Sequence, residues 1–273
     1  MPRLELGLNT TYVESGAHRG GRGEDLTSFI STWDTTGSDE TVTLPFVSSG
    51  SIDFTIDWGD GGTDTVTAYD DDLGEGAIDH VYASADTYTI TLAGTIRGFK
   101  FNNGGNKTKI KTITQWGTFD ISTPDAFKGC SALNVTATDA PTISSTDMNE
   151  TFNACTSLTS IGGDWDVSSV QLANSIFEYA PVFNQDISSW DVSAVTDMSE
   201  MFRDASAFNQ PLAAWGSKTS NVTEMDRMFQ HAFAFDQPIS IQCFKGFGMH
   251  KLYSTKIYQI GILRQQQLWL ICS

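Results

Sequence analysis

A chain of 273 residues with 40% hydrophobic and 18% charged side chains has room for a packed core and is not a disordered polymer. Its formal net charge of −17, from 33 acidic against 16 basic residues, repels phosphates, which excludes nucleic acid and anionic lipid as partners for the body of the chain. Four cysteines without a CxxC pair supply neither a disulfide scaffold nor a zinc-ligand spacing, and no segment approaches the roughly 20 apolar residues of a membrane helix.

Residues 1–24 are rich in Gly and Arg and are expected to be disordered. They contain no uninterrupted apolar core of signal-peptide length. From about residue 40 to 101 the pattern changes to strict alternation. Val42, Leu44 and Phe46 alternate with polar residues, as do Ile52, Phe54, Ile56 and Trp58, and then Tyr88, Ile90 and Leu92. A period of two predicts half-buried strands. Gly59, Asp60, Gly61 and Gly62 mark a tight turn after the second set. Several short alternating strands between turns predict an antiparallel β-sandwich of Ig-like type over residues 25–106.

Acidic side chains cluster at that turn. Asp57, Asp60 and Asp64 bracket it, and Asp70, Asp71 and Asp72 form a run nearby. Hard oxygen donors on loops suit calcium, so Asp57, Asp60 and Asp64 are the metal-site candidates; solvated acidic turns are the alternative. No cofactor is expected, with calcium the one possible exception. His18, His80, His231 and His250 have no metal-ligand spacing, and no GxSxG, HExxH, P-loop or Rossmann glycine pattern is present. The expectation is therefore a protein that is not an enzyme, with no catalytic residues.

The second half is a tandem repeat of about 25 residues, assigned to residues 107–240. Phe127, Phe152, Phe177 and Phe202 are spaced by 25, and Phe229 follows after 27. Counting each phenylalanine as position zero, position +3 holds Cys130, Cys155, Ala180, Ala205 and Ala232. Position +6 holds Leu133, Leu158, Phe183, Phe208 and Phe235, and position +13 holds Trp165, Trp190 and Trp215. Within SAVTDMSEMFRDA, the residues Val195, Met198, Met201, Phe202 and Ala205 share the one-sided spacing of a helix, with Ser193 as its cap. The FNQDISSW and FNQPLAAW runs predict short extended segments. Each unit thus reads as one extended segment plus one short helix, and buries its apolar face only by stacking on its neighbours. Cys130 and Cys155 occupy equivalent positions in adjacent units, as a bridge or as a column of small buried residues. Asn184, Asn209 and Asp236 form either a side-chain ladder or a solvated polar column. The tryptophans either pack in the core or line an aromatic strip for carbohydrate.

Two resemblances follow from these motifs. WGDGGTDTVT followed by HVYASADTYTITLAG is similar to the PKD family of extracellular Ig-like domains, matching its pattern at Trp58, Gly59, Asp60, Gly61, His80, Tyr82 and Tyr88 and departing from its glycine at Asp86. The FNQDISSWDVSxVTDMSxMF repeat resembles the BspA-like leucine-rich-repeat surface proteins, also described as DUF285 or 26-residue-repeat proteins. The resemblance implies a mixed β and α/β protein, in which a PKD-like sandwich is followed by a leucine-rich-repeat-type solenoid of ~25-residue units. It also implies a cell-surface or secreted binding or adhesion module for a protein or glycan on another cell or matrix. A structural spacer is the alternative, and a carbohydrate-active enzyme a more distant one.

Residues 241–273 break the pattern. They hold Lys245, Lys251, Lys256 and Arg264, no acidic residue, and no repeat motif. They are read as a cap on the last unit, as a tail contacting a membrane or partner, or as a departure of the gene model from the family, the last being favoured.

Overall fold

The computed structural model describes residues 25–47, 52–67 and 76–238; the expectations for residues 1–24, for Asp70–Asp72 and for 241–273 lie outside it. Among the described residues no helix is long and apolar enough to cross a membrane.

The alternating segments are strands. β1 (Phe29–Asp34), β2 (Glu40–Pro45), β3 (Asp53–Asp57), β4 (Thr63–Val66), β5 (Ala77–Tyr82), β6 (Thr87–Thr95) and β7 (Ile110–Gln115) follow in order. Two-residue strands β8 (Asp120–Ile121), β9 (Asn134–Val135) and β10 (Thr142–Ile143) come after them. In β3, Phe54 and Ile56 point inward between exposed Asp53, Thr55 and Asp57, as period two requires. β1 has the same alternation, with the hydroxyl of Ser31 on the buried face accepting the indole N–H of Trp33 at 2.9 Å.

The sheets have the order β4-β3-β6-β1-β7-β9, β10-β8 and β2-β5. Pairing is antiparallel from β4 through to β7. β9, which belongs to the first repeat, joins β7 in parallel. This corrects the expected fold class in its first half. One wide sheet runs on into the repeats and faces only a two-stranded pair, so no Ig-like sandwich is formed and none of the sheets is closed. Periodicity identifies strands and their buried faces, but it is silent on which strand pairs with which.

The second half is corrected too. The repeats are not α/β units, and a leucine-rich-repeat-type solenoid of strands and helices is not what they form: the protein is mostly β, and the single helical element among the described residues is a 3-10 turn at Ala213–Lys218. The expected helix over 195–205 is a run of turns. Residues at positions −2 and +2 in each unit are left-handed, and Glu150 and Ala154, Ser175 and Tyr179, and Glu200 and Asp204 have φ between 54° and 58°. Left-handed residues that close together cannot belong to an α-helix. In their place, the N–H at +3 donates to the carbonyl at zero, and that at +6 to the carbonyl at +3: Ala205 to Phe202 at 3.1 Å, then Phe208 to Ala205 at 3.1 Å. Successive three-residue turns reproduce the i, i+3, i+6 spacing that reads as a helix.

The left-handed residues turn alternate N–H groups outward along the stacking direction. Glu150, Phe152 and Ala154 donate to the carbonyls of Asn174, Ile176 and Glu178 in the next unit, at 3.0, 3.0 and 2.8 Å. The same bonds recur from Ser175, Phe177 and Tyr179, and from Glu200, Phe202 and Asp204. Units therefore stack as coils held by backbone hydrogen bonds that point forward at this left-handed corner and backward elsewhere, as from Thr196 to the Gln171 carbonyl and Thr223 to the Thr196 carbonyl, with single parallel bridges at Asp147, Leu172, Asp197 and Glu224. At the near end, Phe101 and Asn103 donate to the carbonyls of Ala126 and Lys128, so the segment ending at Asn103 acts as a starting coil.

Aromatic columns fill the interior. Phe127, Phe152, Phe177 and Phe202 are fully buried and stack at 5.5, 6.0 and 5.8 Å, continuing to Phe229 at 5.4 Å. Phe183, Phe208 and Phe235 form a second column. Burying each ring stabilises the fold by about 1.5–3 kcal/mol before entropy is counted.

Candidate binding face

The WGDG residues form a compact knot. The Trp58 and His80 rings stack at 4.6 Å, Asp60 meets His80 Nε2 at 2.8 Å, and the Tyr82 hydroxyl donates to the Trp58 carbonyl at 2.8 Å. Tyr88 stacks on Tyr82 at 3.8 Å. Gly59 is required there, since its φ is +81° and a Cβ would lie 2.5 Å from the Thr89 carbonyl oxygen. Asp86, by contrast, is not in the left-handed region. Its N–H donates to Thr35 Oγ1, so an Asp is accommodated.

The calcium candidates have separate partners in this knot. Asp57 accepts the N–H of Gly59, Asp60 accepts that of Gly62 and pairs with His80, and Asp64 accepts the indole N–H of Trp58 at 2.7 Å. The hydrogen bond from His80 holds the Asp60 carboxyl below its usual range, while burial pushes the Tyr82 phenol up. Among the described residues no group of three or more His, Cys, Asp or Glu side chains is placed to hold a metal ion.

The repeat columns sort into inside and outside. Trp165, Trp190 and Trp215 are buried at 3–4% exposure, so they line the core and not a carbohydrate strip. Trp165 and Trp215 donate their indole N–H to the carbonyls of Ile161 and Ile187. Cys130 and Cys155 are free and buried, and burial raises both thiols well above the usual range, so this column is one of small packed residues. The asparagine column is a ladder: Asn184 Oδ1 accepts the Asn209 N–H, and Asn209 Oδ1 accepts the Asp236 N–H, both at 2.9 Å. Asn134 begins it by accepting from Thr159 one coil on.

Against these near-constant columns, one corner of the coils changes from unit to unit. Position +1 runs Lys128, Asn153, Glu178, Arg203, Gln230, and position +2 runs Gly129, Ala154, Tyr179, Asp204, His231. Oppositely charged groups meet along it, Lys128 with Glu150, Arg203 with Glu178 at 2.8 Å and Arg227 with Glu200 at 2.8 Å, and His231 hydrogen-bonds to Asp204 at 2.8 Å. Glu178 is buried, also accepts from Asn153 Nδ2 at 2.8 Å, and has its carboxyl pushed up by that burial. Beside this ladder, Tyr179 and Val182 are each 43% exposed and Phe233 is 65% exposed, with the Arg203 guanidinium over the Tyr179 ring at 5.3 Å. Exposed aromatics flanked by arginine and mixed charge have the composition of a recognition surface. The 25-residue period locates the corner, but only its left-handed backbone tells which columns face out.

Stacked coils with a near-constant interior and a varied corner define a mostly β repeat protein. The family described as "Mycoplasma protein of unknown function, DUF285" matches residues 99–176 and 146–246. These matches cover more than half of the chain, and the protein belongs to that family. The first match begins just before the starting coil at Phe101, where the stacking bonds begin. The chain matches no curated protein and no solved structure.

Proposed function

We propose that the protein is a non-catalytic binding or adhesion module, secreted or displayed at a cell surface, that recognises a protein or glycan partner through the outer corner of its coils. The observation that carries this reading is the contrast between columns. Positions zero, +3 and +6 repeat one residue class and are buried in the inner coils, whereas +1 and +2 change in residue type at every coil. A frame that needed only to space other modules has no use for an exposed Tyr179 and Phe233. The BspA-like character of the repeat motif supports a surface location. The test is a screen of the full chain against glycans and surface proteins, repeated with Tyr179→Ala and Phe233→Ala together. Binding that falls about tenfold or more in the double variant supports the reading. Absence of any binding at high micromolar concentration, or binding unaffected by the double variant, overturns it, and the first of these leaves the spacer reading.

A further inference from the structure

At the left-handed corner the stacking bonds have a direction, and among the described residues that direction leaves an edge. Every coil centred on Phe127, Phe152, Phe177 or Phe202 gives its N–H groups at −2, zero and +2 to the carbonyls of the coil that follows. In the coil centred on Phe229 the corresponding donors are Arg227, Phe229 and His231, and they meet no acceptor among the described residues. Arg227 and His231 are left-handed, at φ 57° and 60°, so their N–H groups point outward along the stack as in the inner coils. The side chains agree. Phe127, Phe152, Phe177, Phe202 and Met198 are fully buried, whereas Phe229 and Met225 are only partly covered.

We infer that the edge formed by Arg227, Phe229 and His231 is a docking site for one further coil of this repeat type carried by another polypeptide. The inner interfaces state what such a coil must supply: carbonyls at its own −3, −1 and +1 positions, and an aromatic ring to cover Phe229. Amides without an acceptor among the described residues, beside an apolar ring, favour an occupant that brings both at once.

A second copy of the chain does not fit. The carbonyl edge of its first repeat already accepts from Phe101 and Asn103, and the starting coil itself packs beneath Trp33, with the Phe101 and Trp33 rings 6.0 Å apart. Two far ends brought together would set the Arg227, Phe229 and His231 corners donor against donor wherever the two corners meet. Charge narrows the partner further. Across the inner interfaces opposite charges meet, as in Glu200 with Arg227, and the Asp204 carboxylate hydrogen-bonds to His231. An incoming coil with acidic residues at its −2 and +2 positions therefore complements Arg227, which is 61% exposed along its side chain, and His231.

The coil centred on Phe202 meets all these requirements, with Glu200 and Asp204 at −2 and +2. The probe is thus a synthetic peptide with the sequence of residues 195–210, VTDMSEMFRDASAFNQ. Amide exchange of the full chain is followed residue by residue, with and without about 1 mM peptide. Exchange at Arg227, Phe229 and His231 is expected to slow by about tenfold or more, while Glu200, Phe202 and Asp204 stay protected throughout. A peptide carrying Phe202→Asp is expected to give no such slowing. Three outcomes overturn the inference: no slowing at this concentration, equal slowing by the Phe202→Asp peptide, or amides at these three positions already protected in the free chain, which would mean that the chain's own residues occupy the edge. Because the readout is at the end of the stack and not at the Tyr179 corner, its failure leaves the proposed binding function standing.

Discussion

The two halves of the molecule solve the same problem by different means. Between β1 and β7, backbone groups find partners in strands up to 85 residues away, and strands such as β1 and β3 alternate buried with more exposed residues. In the coils, backbone groups are paired with the next coil about 24 residues on, and regular strands are reduced to single bridges. The sheet uses extended residues and needs specific long-range neighbours. The coils use a pair of left-handed residues per unit and need only an identical neighbour. Each unit then depends on the two beside it, and interior aromatic columns, not hydrogen-bonded strands, set the spacing.

That comparison is sharpened most strongly by Phe177→Ala. The ring is fully buried and stacked on three others, so its loss is expected to cost about 3–5 kcal/mol in urea denaturation. Amide protection should fall first in the coils centred on Phe152 and Phe202, with β3 and β6 holding theirs; uniform loss across both halves would break the distinction. In the sheet, Gly94→Ala is expected to cost about 2–3 kcal/mol, because Gly94 has φ +130° and a Cβ there would lie 2.2 Å from the Asp53 carbonyl oxygen. A substitution without effect on the denaturation midpoint would show that β3 and β6 are not packed as described.

Smaller effects probe the coils alone. Asn209→Ala deletes the acceptor for the Asp236 N–H and should cost about 1 kcal/mol, read from the same denaturation curves. Ala154→Gly goes the other way. Ala154 has φ 58°, so glycine relieves a left-handed penalty and should stabilise by up to about 1 kcal/mol; a clear loss of stability would argue that the residue is not left-handed.

The pH dependence of Glu178→Gln is the finest test. Burial raises the Glu178 carboxyl above its usual range, so the native state holds that proton more tightly than the unfolded state does. The ionised form is therefore penalised at neutral pH, and the penalty is relieved as pH falls through the raised value. The variant lacks this penalty, so its stability relative to the parent should be greatest at neutral pH and decline on acidification. A gap that stays flat or widens as pH falls contradicts the assignment. Glu40 titrates with the opposite sign: Lys109 and the Thr36 N–H hold its carboxyl down at about 2, so its contribution is kept at neutral pH and lost as pH falls from the ordinary glutamate range toward that value.

Much of this was visible in the residues. Phe54, Ile56 and Trp58 are buried where alternation puts them, and the columns at Phe127 to Phe229 stack as their spacing implies. β1 escaped because Ser31 interrupts its apolar face, a polar residue made acceptable by its bond to Trp33. The coils were misjudged as helical because three-residue turns and helices give apolar residues nearly the same spacing. What separates them is a left-handed φ at residues such as Glu200 and Asp204, which carry no glycine to announce it. The outer corner was hidden for the same reason, since a helix would have turned different columns to solvent.

The direction of the coil-to-coil hydrogen bonds is tested most directly by scalar couplings across them in isotope-labelled protein. Couplings are predicted from the amide nitrogen of Phe152 to the carbonyl carbon of Ile176, and from Phe177 to Met201, whose N···O distances are both 3.0 Å. Couplings from these amides to carbonyls four residues earlier in the chain would restore the helix and contradict the account.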